Sequence, residues 1–150
     1  MKKIAMITGA TSGIGLGTAK ALASEEFNLI LTGRRNDRLE RIKKEIEEKY
    51  KVEVLTICFD VRNQQEVEKA VTTLPAEWKN IDVLVNNAGL AVGLEPIQEG
   101  LLEDWERMID TNVKGLLYVT RAVSPLMCAR KQGHIVNICS TAGKEVYPNG

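Results

Sequence analysis

Five places in this 150-residue chain carry glycines or polar side chains suited to chemistry, and each follows a short apolar run. The first is Thr8-Gly9-Ala10-Thr11-Ser12-Gly13-Ile14-Gly15. In such a glycine-rich turn, missing side chains let backbone N–H groups and the dipole of the following helix meet a phosphate. Its G-x-x-x-G-x-G spacing differs from the commoner G-x-G-x-x-G and lacks the Lys-Ser/Thr ending of a nucleoside triphosphate loop. Taken alone, it reads equally well as a tight strand-to-helix turn. The second place is Gly33-Arg34-Arg35, about 20 residues past the glycines, where an NAD-binding domain sets an acid on the ribose 2′-hydroxyl. No acid stands there. Two guanidiniums suit a 2′-phosphate instead, because each offers a planar, permanently charged fork of donors. They also open a charged segment, residues 34–51, with eight basic and five acidic side chains.

Asp60-Val61 is the third place: a carboxylate there can accept from the amino group of an adenine or cap the helix that follows. The fourth, Asn86-Asn87-Ala88-Gly89, permits close approach to a ligand, but turn chemistry selects the same residues. The fifth, Ser140-Thr141-Ala142-Gly143, puts a hydroxyl where a substrate would lie, or serves structure alone. Asn112, among Ile109, Val113 and Leu116, is polar on an apolar helical face, so it must find a specific partner or line a site. His134, the only histidine, begins the last apolar run, at the sheet end opposite these residues. No base could then reach Ser140, which disfavours a Ser-His-Asp hydrolase. Cys58, Cys128 and Cys139 show neither C-x-x-C spacing nor a histidine pair, so they are expected to be buried thiols, with no disulfide framework or metal site.

The elements that must position these residues alternate between two periods. Apolar runs at 4–8, 29–32, 52–57, 81–85 and 135–139 read as strands. Between them lie helical patterns: residues 13–24 with Ile14, Ala21 and Leu22; Leu39, Ile42, Ile46 and Tyr50; Val67, Ala70, Val71 and Leu74, with Pro75 as a stop. The last is a long one through Trp105, Met108, Ile109, Val113, Leu116, Leu117, Thr120 and Val123, kinked rather than ended by Pro125. Near-continuously apolar strands separated by helices specify an α/β doubly wound parallel sheet covered on both faces, a Rossmann fold with strand order 3-2-1-4-5. Ligands then bind beyond the carboxyl ends of the strands, near the reversal between strands 1 and 4, and all five places lie at such ends. The fifth strand is expected to be an exposed edge, leaving these residues alone prone to aggregation.

With 44% hydrophobic and 27% charged residues, the composition excludes disorder, a collagen-like repeat or a coiled coil. Twenty basic residues balance twenty acidic ones, which removes the electrostatic footprint of a nucleic-acid or anionic-membrane partner. The apolar run after Lys2-Lys3 stops too soon for a signal peptide, and no stretch is long enough to span a membrane. A cytoplasmic protein is expected.

In order and spacing, the glycine-rich turn, Asp60-Val61, the Asn-Asn-Ala-Gly run, Asn112 and Ser140 resemble the short-chain dehydrogenase/reductase family. Residues 74–78, 86–96, 103–115 and 133–143 look particularly like its bacterial NADP-dependent 3-hydroxy acid (serine) dehydrogenases. The resemblance implies that Gly9, Ala10, Thr11, Ser12, Gly13 and Ile14 hold the pyrophosphate and that Arg34 and Arg35 select NADP. It also implies that Asp60 and Val61 flank the adenine and that Asn87 contacts the cofactor. Ser140 would orient the substrate oxygen, and Asn112 would support a water in the proton relay, both as catalytic residues. The implied activity is hydride transfer between NADP(H) and a small 3-hydroxy acid or its carbonyl counterpart. Homo-oligomers, tetramers in relatives, are implied as well. The family's Tyr-x-x-x-Lys would begin past Gly150, and Tyr147, followed by Pro148, reads as part of the loop before it. Residues 1–150 are therefore expected to be the NADP-binding, amino-terminal part of a single-domain oxidoreductase of about 250 residues, and inactive alone. The alternative is a non-catalytic NADP-binding module.

Overall fold

The computed structural model describes residues 2–145; Tyr147 and Pro148 lie outside them. Strand β1 (Ile4–Ile7) is apolar at every position and buried at every position, as a central strand covered on both faces requires. It pairs in parallel with β2 (Asn28–Gly33) on one side, Ile7 opposite Leu31, and with β4 (Ile81–Asn86) on the other, Ile7 opposite Val85. β3 (Val54–Cys58) lies outside β2, and β5 (His134–Asn137) outside β4, giving the order 3-2-1-4-5 with parallel pairing throughout. All five carboxyl ends therefore face the same way, and His134 sits at the opposite end of β5 from the loops that follow.

The crossovers are α1 (Gly13–Ser24), α2 (Asn36–Tyr50), α3 (Gln64–Thr72) and a long helix in two parts, α4 (Leu102–Ile109) and α5 (Leu116–Arg130), joined by a π-helical turn over Asp110–Gly115. Two cores result. Ala5, Ile7, Leu29 and Leu31 pack beneath α1 and α2, against Ala19, Ala23, Leu39, Ile42 and Ile46. Ile4, Met6, Ile30 and Leu84 pack on the other face with Val67, Val71, Val119, Val123 and Met127.

Two expectations need correction. Helix α1 buries Gly15, Ala19 and Ala23, while Ile14 is 64% exposed; the helix approaches the sheet through its smallest residues. The long helix continues through Pro125, as expected, and also carries an irregularity the sequence does not announce, the π-helical turn. Two stripes run side by side through that turn, each at a spacing of four: Ile109, Val113 and Leu117 are exposed, while Thr111, Gly115, Val119, Val123 and Met127 carry the burial. All three cysteines are exposed, because Cys58 ends the edge strand β3, Cys139 follows the edge strand β5, and Cys128 stands on the outer face of α5 beside the buried Met127. The β5 edge is open as expected, with Ile135 exposed. Among the described residues, no helix is long and apolar enough to cross a membrane, and no cluster of His, Cys, Asp or Glu could hold a metal ion.

Candidate active site

The glycine-rich turn is interlocked with the end of β4. Thr8, buried at the end of β1, accepts hydrogen bonds through Oγ1 from the backbone N–H groups of Asn87 and Ala88, both at 3.0 Å. Asn87 returns the contact: its Nδ2 donates to the carbonyls of Thr8 (2.9 Å) and Gly9 (3.1 Å). This leaves no room for side chains at two glycines. A Cβ on Gly9 would lie 2.9 Å from the Ala88 Cα, and one on Gly15 would overlap the Asn87 Nδ2 and the Gly9 carbonyl. Gly13 is the opposite case: at φ +54° it turns the chain into α1, and a Cβ there would meet nothing within 4 Å. The Ser12 side chain makes no capping hydrogen bond and the first turn of α1 holds no acid, so the N–H groups there face open space with the dipole behind them.

Beside this cradle stands the end of β2. The Arg35 guanidinium donates from one Nη to Thr11 Oγ1 at 2.8 Å, tying the second loop to the first. Both arginines are exposed. Arg35 occupies the N-cap position of α2, where the helix dipole disfavours a cation by about 0.3–1 kcal/mol. A polyanion bound between the loops would remove that conflict.

At the end of β3 the two readings of Asp60 resolve differently. It does not cap α3; Asn63 does, its Oδ1 accepting from the N–H groups of Gln65 and Glu66. Asp60 instead takes a fork of hydrogen bonds from Arg62, the shortest 2.6 Å. Partial burial pushes its carboxyl up, but the Arg62 hydrogen bonds and, more weakly, the Arg34 charge hold it below the usual aspartate range. Val61 is buried, and Gly115 at the end of the π-helical turn fits only because it lacks a Cβ, which would come 2.8 Å from Val61 Cγ2. Only the main chain of Val61 is therefore free to line a ligand.

Asn112 lies in the π-helical turn and finds the partner its type demands. Its Oδ1 accepts from the N–H of Leu90 at 2.9 Å, and its Nδ2 donates to the Leu90 carbonyl at 2.8 Å. With both ends of the carboxamide engaged, any support for a water falls to its main chain or its second N–H. After β5, Ser140 is exposed, and its Oγ accepts from the Ala142 N–H at 3.1 Å, leaving the hydroxyl hydrogen able to donate outward. The buried Asn86 connects this region to β4, its Nδ2 donating to Asn137 Oδ1 and Thr120 Oγ1, both at 2.9 Å.

The structure thus sets the five strand-end loops at one end of the sheet, with Asn112 closed on the loop after β4. Sequence reasoning missed Thr8 as the post for Asn87 and Ala88. The only sequence signal was a hydroxyl at the last position of an apolar run, where burial demands a partner. It missed equally the Thr11–Arg35 contact and the closure of Asn112 on Leu90, neither of which has a local signature.

Known proteins are similar to this chain in sequence and in fold. The chain is 52% identical over 147 residues to the NADP-dependent 3-hydroxy acid dehydrogenase YdfG of Salmonella typhi, covering 98% of this chain and 58% of that protein. It is 44% identical over 149 residues to sulfoacetaldehyde reductase 2 of Chromohalobacter salexigens, covering 99% of this chain and 58% of that one. The solved closed form of serine dehydrogenase complexed with NADP+ superposes with a TM-score of 0.90 at 48% identity, over 98% of this chain and 58% of that one. The chain therefore spans 58% of the length of the curated relatives it matches. The model of the short chain dehydrogenase family matches residues 3–150. On the interlocked glycine turn, the strand order and these likenesses together, the chain belongs to the short chain dehydrogenase family.

Proposed function

We propose that this chain is the cofactor-binding part of an NADP-dependent oxidoreductase that moves a hydride between NADP(H) and a small 3-hydroxy acid, serine-like or 3-hydroxypropionate-like, or its carbonyl counterpart. The observation that carries the reading is the pair of arginines at the β2 end, with Arg35 hydrogen-bonded to the glycine-rich loop and no acid in the ribose position. Similarity to relatives named for NADP and for hydroxy acids supports it. The residues present fit the cofactor: the open space over Gly13 receives the pyrophosphate, with Gly9, Ala10, Thr11, Ser12 and Ile14 forming its cradle, and Arg34 and Arg35 receive the 2′-phosphate. The Asp60 carboxylate and the main chain of Val61 border the adenine, and Asn87 holds the loop against the ring-bearing half.

When bound, NADP accepts or supplies the hydride. The chain's own contribution is placement. Ser140 donates its hydroxyl hydrogen to the substrate oxygen, so that the carbon bearing it faces the cofactor. Asn112, closed on Leu90, fixes the π-helical turn from which main-chain groups hold a water for the proton path. Moving the proton itself falls to the Tyr-x-x-x-Lys pair that the family resemblance implies. Our reading includes a homo-oligomer, to which the exposed Ile109, Val113 and Leu117 offer an apolar face. A non-catalytic NADP-binding module is the weaker reading, since the relatives are named as enzymes.

The test is to measure cofactor affinity and turnover with the intact protein. NADP+ should bind about tenfold to a hundredfold more tightly than NAD+, the worth of a charge-assisted pair, and the double Arg34→Ala, Arg35→Ala variant should lose that margin. Serine or 3-hydroxypropionate should reduce NADP+. Equal affinities in the unmodified protein refute the cofactor assignment; NADP+ binding without turnover on any small hydroxy acid refutes the activity.

A further inference from the structure

Arg34 and Arg35 are adjacent in sequence but do not stand in equivalent surroundings. Arg35 donates to Thr11 Oγ1 at 2.8 Å, whereas Arg34 makes no hydrogen bond or ion pair among the described residues and acts electrostatically on Asp60, at the end of β3. The Thr11 side chain is itself located by Gly33, where a Cβ would lie 2.9 Å from Thr11 Cγ2. The methyl of Thr11 thus rests in the gap over Gly33, which aims the hydroxyl at Arg35.

We propose that Thr11 is a positioning residue for cofactor selection: seated over Gly33, its hydroxyl braces Arg35 so that the guanidinium meets a 2′-phosphate already oriented. This rests on the NADP reading above and deepens it. The physical case is entropic. An exposed arginine loses rotamer freedom when it grips a ligand, and a side chain immobilised on binding costs a factor of roughly two to ten in affinity. A brace formed beforehand moves that loss out of the binding step. Arginine has five N–H donors, and the contact to Thr11 uses one, leaving the others for phosphate oxygens. The brace also holds a cation at the N-terminus of α2, where the dipole would otherwise push it away until an anion arrives.

The experiment is a cycle on the intact protein, measuring dissociation constants of NADP+ and NAD+ for Thr11→Val, Thr11→Ser, Arg35→Ala and Thr11→Val with Arg35→Ala. Valine keeps the branch over Gly33 and removes only the hydroxyl. Thr11→Val should lower the NADP+-to-NAD+ preference by roughly two- to tenfold, Thr11→Ser should keep most of it, and Thr11→Val should change nothing further once Arg35 is alanine. The proposal is overturned if Thr11→Val keeps the full preference, weakens both cofactors by one factor, or adds independently to Arg35→Ala. Should the unmodified protein bind the two cofactors equally, the NADP reading falls and the brace with it; a preference that survives Thr11→Val removes the brace alone.

Discussion

Replacing Thr8 by Val tests whether the interlock between the β1 and β4 loops holds the site together. The two side chains have nearly the same shape, so packing around the buried position changes little. What disappears is Oγ1, the common acceptor for the N–H groups of Asn87 and Ala88 at 3.0 Å each. Its own donation to the Val85 carbonyl, at 3.5 Å, is long enough to contribute little. An N–H left without a partner costs about 1–3 kcal/mol when buried. Asn87 and Ala88 are only half-buried, so water can recover part of the loss, and the low end applies to each. The sum is about 2 kcal/mol, equivalent to a fall in Tm of about 4–8 °C for a protein of this size class. Because the Asn87 carboxamide holds the carbonyls of Thr8 and Gly9, NADP+ affinity should fall with stability. Thr8→Ser restores the acceptor at the cost of one methyl, about 0.8 kcal/mol, and should recover most of both. Chemical denaturation and cofactor titration of the intact variants decide the matter. A Thr8→Val protein within about 0.5 kcal/mol of the unmodified one, or a Thr8→Ser protein as damaged as Thr8→Val, refutes the reasoning.

Two glycines of α1 should respond oppositely to alanine. Gly15→Ala, which places a Cβ against backbone and the anchored Asn87 amide, should destabilise by about 1–3 kcal/mol. Gly17→Ala, with nothing within 4 Å, should stabilise by up to about 1 kcal/mol, and thermal unfolding of the pair checks the sign. Asp60, whose folded-state carboxyl titrates below its ordinary value of 3.8, adds stability above that value and loses it as pH falls through the lower folded one. Asp60→Asn should therefore flatten the stability-against-pH curve below about pH 5, and an unchanged curve would show that the Arg62 pair contributes nothing. Ser140→Ala should lower kcat by about tenfold to a hundredfold, the worth of a hydrogen bond to developing charge, with NADP+ affinity unchanged. Full activity would leave Ser140 only its bond to Ala142.

The fold was legible because a parallel sheet covered on both faces writes itself as uninterrupted apolar runs such as Ile4-Ala5-Met6-Ile7, and because four of the five runs lead into a glycine, asparagine or hydroxyl and the third into Asp60. Helix α2 was equally clear, its apolar Leu39, Ile42 and Ile46 standing out against charge. Helix α1 was not, since the residues it buries are the small ones, and close approach selects against the large side chains that hydrophobic periodicity detects. The π-helical turn was invisible for a different reason. One additional residue per turn leaves no mark in composition, and the exposed Ile109, Val113 and Leu117 repeat at the same spacing of four as the buried Val119, Val123 and Met127. The cysteines misled because free thiols are usually buried, and these stand on strand edges and an outer helix face.

The interlocks explain why the site's chemistry was easier to read than its architecture. Each loop advertises its own residue types, but what aligns the loops are contacts between strand ends far apart in sequence: Thr8 with Asn87, Thr11 with Arg35, Asn86 with Asn137, and Asn112 with Leu90. Three of these join neighbours in the order β2-β1-β4-β5, and the fourth ties the β4 loop to the long helix. The glycine-rich turn therefore rests on the central, fully buried β1 and is stitched from two directions, by β2 and by β4. Ser140 is joined to that cradle through β4: β5 pairs with it in parallel, and the Asn86 carboxamide reaches Asn137, so the Ser140 loop is aligned by the same strand end that carries Asn87.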